Sequence, residues 1–217
     1  MKYAVLGTGM VGHTLATKLV SLGHDVIMGA RTKDNEKAAA WAIENGDRAS
    51  NAAFQTAAAS ADRVIFAVNG ANIGAVADMV GKEATRGKLV IDVSNPLDMS
   101  HCMPPTLIPE LSNTTSAAEE LQKRLPDAKV VKTLNTMNHQ IMVNPDRISG
   151  EHDVFLCGDD TAAKAETVSM LNEFGWQSPT DLGPLAAARG LEGMMPFWLR
   201  MWSVVGSADF NYRIVRN

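Results

Sequence analysis

Cysteine is scarce in this 217-residue chain: there are two, Cys102 and Cys157. Two thiols cannot build a disulfide framework or a four-cysteine zinc site, and their sparing use fits a reducing, cytoplasmic compartment. Basic residues do not predominate either. Twenty Lys and Arg stand against 24 Asp and Glu, for a formal net charge of −4, so nucleic acid is not an expected partner. Long apolar runs are missing. The most apolar stretch, Met194 to Leu199, is cut by Arg200, short of the ~20 residues a membrane span needs. Nor does the N-terminus read as a signal peptide, since Met1-Lys2 leads straight into a strand-like run. Tyrosine occurs at Tyr3 and Tyr212 only, with Gly7 and Arg216 four positions on. No Tyr-x-x-x-Lys pair of the short-chain dehydrogenase kind therefore exists. Neither a Ser-His-Asp arrangement nor a metal-ligand cluster is legible.

What is present is a normal core supply, with 46% hydrophobic residues and 20% charged. Short β-branched runs alternate with helical patterns. The runs are Tyr3–Leu6, Asp25–Met28, a weak one around Arg48–Ser50, Val64–Val68 and Leu89–Val93. Lys129–Leu134 and Val154–Cys157 continue the series, and Thr161–Phe174 reads as a helix closed by Gly175. Such alternation predicts an α/β fold: a doubly wound parallel sheet of the Rossmann NAD(P)-binding kind. A small C-terminal α/β extension, about 128–217, ends in a long helix expected from Pro184 or Leu185 to about Val205. The whole of 1–217 is expected to be one domain. The longest irregular stretch is Ser94–Ser116, and loops of that length are often functional.

Gly7-Thr8-Gly9-Met10-Val11-Gly12 follows the first strand and opens the first helix. Gly7 suits the tight turn, Gly9 the approach of a pyrophosphate, and Gly12 close packing of helix on strand. The amides of Thr8 to Val11 would face the pyrophosphate. An NAD site wants a carboxylate ~20 positions on. That region instead reads Met28-Gly29-Ala30-Arg31-Thr32-Lys33. A guanidinium, a hydroxyl and an ammonium suit a 2′-phosphate, which favours NADP. Asn69, Asn95 and Asn135 each stand just past a strand end, where doubly wound sheets bind ligands. Each is equally a turn former bonding its own backbone. His139 follows the Lys129–Leu134 strand and is either a proton donor to a reduced ring or a surface helix histidine. No residue declares itself catalytic; Asn135 and His139 are the candidates. Met137, Met194, Met195 and Trp198 read either as a flat apolar ring site or as core or dimer face. Cys102 lies in the long loop with no nearby positive charge to activate it.

The glycine motif, Gly29-Ala30-Arg31, Val130-Val131-Lys132-Thr133-Leu134-Asn135-Thr136, Cys157-Gly158-Asp159-Asp160 and Asp181-Leu182-Gly183-Pro184-Leu185 together carry a resemblance. The chain resembles the NADPH-dependent reductases of the deazaflavin coenzyme F420 and their relatives, which include the cytoplasmic domain of the six-transmembrane ferric reductases. The resemblance implies NADP held by Thr8 to Val11, by Ala30 and Arg31, and near Val68. It implies a deazaflavin acceptor lying against the nicotinamide, between the ends of the fifth and sixth strands and the C-terminal helices, and a homodimer. In the F420 reductase a histidine stands where this chain has Asn135; the Lys-x-x-Asn-Thr form is closer to the broader bacterial branch and the ferric-reductase domain. Hydride transfer to a flavin-like ring, whether F420, FMN or FAD, asks little acid–base machinery of the protein. Two other readings are an NADPH-dependent reductase of a small carbonyl or imine and a non-catalytic NADPH sensor. The apolar Leu191–Val205 segment is expected to pack against its mate in a dimer through Trp198.

Overall fold

The computed structural model describes residues 1–100 and 103–215. The chain begins with β1 (Lys2–Leu6), α1 (Met10–Ser21), β2 (Asp25–Ala30), α2 (Glu36–Asn45), β3 (Ala49–Ala53), α3 (Phe54–Ser60) and β4 (Arg63–Phe66). It continues through α4 (Ile73–Val80), α5 (Lys82–Thr85), β5 (Leu89–Asp92), β6 (Leu97–Asp98), β7 (Thr106–Leu107) and α6 (Ala117–Arg124). The remainder is β8 (Lys129–Thr133), α7 (His139–Val143), β9 (Phe155–Gly158), α8 (Thr161–Phe174), β10 (Thr180–Asp181), α9 (Ala188–Gly193) and α10 (Met195–Val205).

Eight strands form one sheet in the order β10-β9-β8-β5-β4-β1-β2-β3. The direction of winding reverses between β1 and β4. Side chains alternate between two cores as a period-2 strand requires. Tyr3 and Val5 of β1 enter the core under α1, α2, α7 and α8. Ala4 and Leu6 enter the one under α3, α4, α6 and α9. Helices thus cover both faces, the doubly wound arrangement expected from the alternating runs.

Four differences from the sequence reading have physical reasons. First, β9 runs antiparallel to β8, with Val131 opposite Gly158 and Thr133 opposite Leu156. The connection 134–154 re-enters the sheet at the end where β8 left it. Second, the helical pattern between the Val64–Val68 and Leu89–Val93 runs is split: α4 stops at Gly81 (φ +78) and the chain restarts as α5. Third, the Ser94–Ser116 stretch holds the small antiparallel pair β6–β7. Fourth, the long C-terminal helix is present but is divided at Met194 into α9 and α10. Pro196 has no N–H to offer the Glu192 carbonyl, which separates α9 from α10.

Trp198 does not face outward. It is 7% exposed and lies with Met195 and Leu199 against Leu97, Leu107, Phe210 and Tyr212. Its ring stacks on Phe210 with centroids 5.3 Å apart. The outward face of α10 carries Phe197, Trp202, Val204 and Val205 instead. The expectation that Trp198 itself meets a partner chain is therefore corrected: the chain's own tail covers it. Met137 is buried in the core under α1, Met194 packs against the core under α9, and Met195 lies with Trp198 in a third cluster. Among the described residues no helix is long and apolar enough to cross a membrane, and no group of three or more metal-ligating side chains occurs.

Candidate functional site

The winding reverses between β1 and β4, and a cleft of about 330 Å³ opens there at the carboxyl ends of the strands. Three glycines shape it, each for a separate reason. Gly7 lies at φ +127, and a Cβ there would sit 2.3 Å from the Ala67 carbonyl oxygen. A Cβ on Gly12 would meet the Gly7 oxygen at 2.1 Å. These two let the first turn of α1 settle onto the β1–β4 seam. Gly9 is different: a Cβ there would meet nothing within 4 Å. Its missing side chain leaves open space on the cleft side rather than room for protein.

Gly9 is also the N-cap of α1 and supplies no side-chain cap, and the first turn of α1 contains no acidic residue. The leading amides of a twelve-residue helix are therefore presented without a protein carboxylate to answer them, which suits an anion. Seven of the expected binding residues line the cleft: Gly7, Thr8, Gly9, Ala30, Arg31, Val68 and Asn69. Asn35, Phe54, Ala67, Asn72 and Val76 complete it and were not anticipated. Met10 stands 74% exposed at the mouth, and Val11 and Gly12 continue up α1 behind it. Among the described residues Arg31 is the only charged one in the lining, and no carboxylate joins it. Among the described residues Arg31 and Lys33 have no ion pair. Thr32 and Lys33 are exposed beyond Arg31, outside the lining. Asn51 Nδ2 holds the Lys33 carbonyl at 2.8 Å, which fixes the loop before Asn35 caps α2.

The three asparagines past the strand ends have different tasks. Asn69 accepts from the Ala71 amide at 3.0 Å, a local turn bond. Asn95 and Asn135 instead bond each other: Asn95 Nδ2 donates to the Asn135 carbonyl at 2.8 Å, and Asn135 Nδ2 donates to Asn95 Oδ1 at 2.9 Å. Asn135 Nδ2 also donates to the Leu191 carbonyl at 3.0 Å. The residue before it, Leu134, is buried at φ +63, a left-handed conformation that costs a leucine roughly 1–2 kcal/mol. That turn is what aims Asn135 at α9. His139 shares a 2.8 Å hydrogen bond between its Nδ1 and Thr14 Oγ1 of α1. Burial, with a smaller contribution from Arg147, lowers its pKa, so the ring is neutral at physiological pH.

Beside the asparagine pair lies a charged group that the sequence reading passed over. Lys132, fully buried in β8, donates to Asp92 Oδ2 at 2.8 Å and to the Ser94 carbonyl at 2.5 Å, and it pairs with Glu192 Oε1 at 2.8 Å. Burial alone would lower the Lys132 pKa; the two carboxylates outweigh it and the net direction is upward. Glu192 is raised, chiefly by burial. The signal was available, since a lysine inside Val130-Val131-Lys132-Thr133-Leu134 must find buried counter-charges. Cys157 is buried beneath this group, and burial pushes its thiol up to about 12. Cys102 lies outside the described residues.

The family model for NADP oxidoreductases, coenzyme F420-dependent, matches residues 2–96, which hold the glycine turn, Arg31 and the β4 end. The chain is 30% identical over 206 residues to the F420-dependent NADP reductase of Methanocaldococcus jannaschii, covering 90% of each protein. The chain belongs to this family. A family member from Arthrobacter sp. FB24, described as a candidate F420-dependent NADP-reductase, is 45% identical in its crystal structure. The two chains superpose over their whole lengths with a TM-score of 0.93. Metalloreductase STEAP3 of Rattus norvegicus is 31% identical over 204 residues, covering 94% of this chain and 38% of that protein. The chain therefore spans little more than a third of that relative.

Proposed function

We propose that the chain is an oxidoreductase that passes hydride between NADP(H) and coenzyme F420 or a related flavin-like acceptor. The observation that carries this reading is the cleft at the winding reversal. It combines an open Gly9, uncapped amides of α1 and Arg31 as the sole charged lining residue among those described. Thr8 to Val11 would hold the pyrophosphate, and Arg31, with Thr32 and Lys33 beyond it, the 2′-phosphate. Ala30, Val68 and Asn69 would wall the adenosine side. NADPH supplies the hydride. The protein's part is to bind, orient and exclude water, because the acceptor ring itself delocalises the charge.

Asn135 and His139 do not act as acid or base in this reading. Asn135 Nδ2 is engaged by Asn95 and Leu191 while its buried Oδ1 has no partner, and His139 Nδ1 is engaged by Thr14. We place the acceptor beside the carboxyl ends of β5 and β8, under the C-terminal helices. The names of the Methanocaldococcus and Arthrobacter relatives support F420 as that acceptor. We also read the chain as a cytoplasmic homodimer, supported by the sparing use of cysteine and by the exposed Phe197, Trp202, Val204 and Val205 of α10. Oxidation of NADPH against a panel of F420, FMN and FAD tests the acceptor. Turnover with F420 is expected; turnover with FMN or FAD alone moves the acceptor to a flavin, and none with any of the three returns the chain to carbonyl reduction or sensing.

A further inference from the structure

We propose that Glu192 is a positioning residue for the hydride acceptor, setting the C-terminal helices against the carboxyl edge of the sheet through Lys132 and the Asn135 turn. The inference rests on the acceptor placement proposed above. Lys132 has three N–H donors and three acceptors, Asp92, the Ser94 carbonyl and Glu192, all out of reach of solvent. Glu192 arrives from α9 and does more than pair with Lys132. Its Oε2 accepts from the Ala117 amide at 2.8 Å and its Oε1 from the Ala118 amide at 3.2 Å. One side chain therefore ties α9 to β8 and to the first turn of α6.

One residue earlier, the Leu191 carbonyl takes the Asn135 amide. α9 is thus fixed at two successive residues, by Glu192 to Lys132 within β8 and by Leu191 to Asn135 just past it. The same network continues toward the dinucleotide cleft. Ser94 precedes Asn95, and a Cβ on Gly70 would meet the Asn95 oxygen at 2.3 Å, so Asn95 packs directly on the turn that follows Asn69. On the other side, α10 continues from α9 and carries Trp198 over β7. A shift of α9 must carry α10 with it.

Attachment alone would not call for this chemistry. Apolar residues of similar volume generally hold a helix as well as a buried ion group does, without its desolvation cost. What two carboxylates around one ammonium add is a single permitted geometry. Any slip of α9 leaves a buried charge unpaired. A hydride donor and acceptor need such a geometry, because a misplacement of ~1 Å can cost about a hundredfold in rate.

The test is steady-state kinetics with NADPH and F420 on the Glu192→Gln protein, alongside NADPH titration of the same protein. The expected result is a fall in kcat/KM for the acceptor of about tenfold or more, with kcat itself lowered and NADPH affinity held within about twofold. Equal loss of NADPH affinity and acceptor kcat/KM, or no change in either, overturns the proposal. Should Glu192→Gln not fold, Asn135→Ala removes the other tie to α9 without disturbing a charge, and the same split is expected. If the native protein does not reduce F420 at all, the acceptor reading fails by itself. Amide hydrogen exchange then decides the positioning claim. Faster exchange confined to 188–205 supports it, and uniform acceleration or none contradicts it.

Discussion

Gly9 and Gly12 stand three positions apart, yet a methyl group would meet open space at one and the Gly7 carbonyl oxygen at the other. The two substitutions should therefore fail in opposite ways. Gly9→Ala has φ −80 and no clash to overcome, so folding should survive and NADPH affinity should fall sharply. Gly12→Ala should lower the melting temperature as well. Circular dichroism with NADPH titration separates the two, and an unchanged NADPH affinity for Gly9→Ala would make the turn purely structural. Arg31 is the residue where cofactor choice was legible, from the missing carboxylate after β2. Removing it should cost about 1.5–3 kcal/mol of NADPH binding and little of NADH binding, measured by titration. Lys132 was equally visible as a charge inside an apolar strand, but its partners were not. Asp92 and Glu192 lie 40 positions before it and 60 after it, and only the folded sheet brings them together.

At the scale of elements, local patterns predicted most strands and the helices with strong caps. Gly175 closes α8 in the left-handed conformation, as read from the sequence. α6 went unread although Ser116-Ala117-Ala118-Glu119 is a capping-box pattern; the Ser116 side chain accepts from the Glu119 amide at 3.1 Å. The antiparallel entry of β9 was illegible because strand direction depends on where a connection returns, which no period encodes. Glu119 makes the α6–α9 junction acid-sensitive. Its hydrogen bond to Arg189, assisted by Ser116, holds its carboxyl below the ordinary range. A depressed folded-state pKa contributes stability above the unfolded value, about 4.3, and that stability is lost as pH falls through the folded one. Urea unfolding should show the native protein losing more stability between neutral pH and about pH 3 than Arg189→Ala does. Equal losses would mean that the Glu119–Arg189 pair contributes nothing.

For the whole molecule, the sheet and its winding reversal position the cleft proposed for the dinucleotide, while α9 and α10 lie against β8, α6 and β7. Trp198 belongs to the chain's own core, so Trp198→Ala should cost about 3–5 kcal/mol of stability whatever the oligomeric state. Val204 is 80% exposed on the outer face of α10. Val204→Asp should leave a single chain's stability within about 0.5 kcal/mol and should dissociate a dimer built on that face, as light scattering would show. A native protein that is monomeric at micromolar concentration would contradict the homodimer. The apolar character of the last helix was evident from its sequence; which side faced inward was not, because the tail that covers Trp198 through Phe210 and Tyr212 has no period to announce it.

Hydride transfer between NADP(H) and a deazaflavin, across the carboxyl edge of the sheet, is the activity proposed for this chain. Its most direct test is the steady-state rate of F420 reduction by the native protein with NADPH, measured beside the rate with NADH. Turnover is expected with NADPH, and a far slower rate with NADH. A protein that binds NADPH yet leaves F420 unreduced, or that uses NADH equally well, would contradict this expectation.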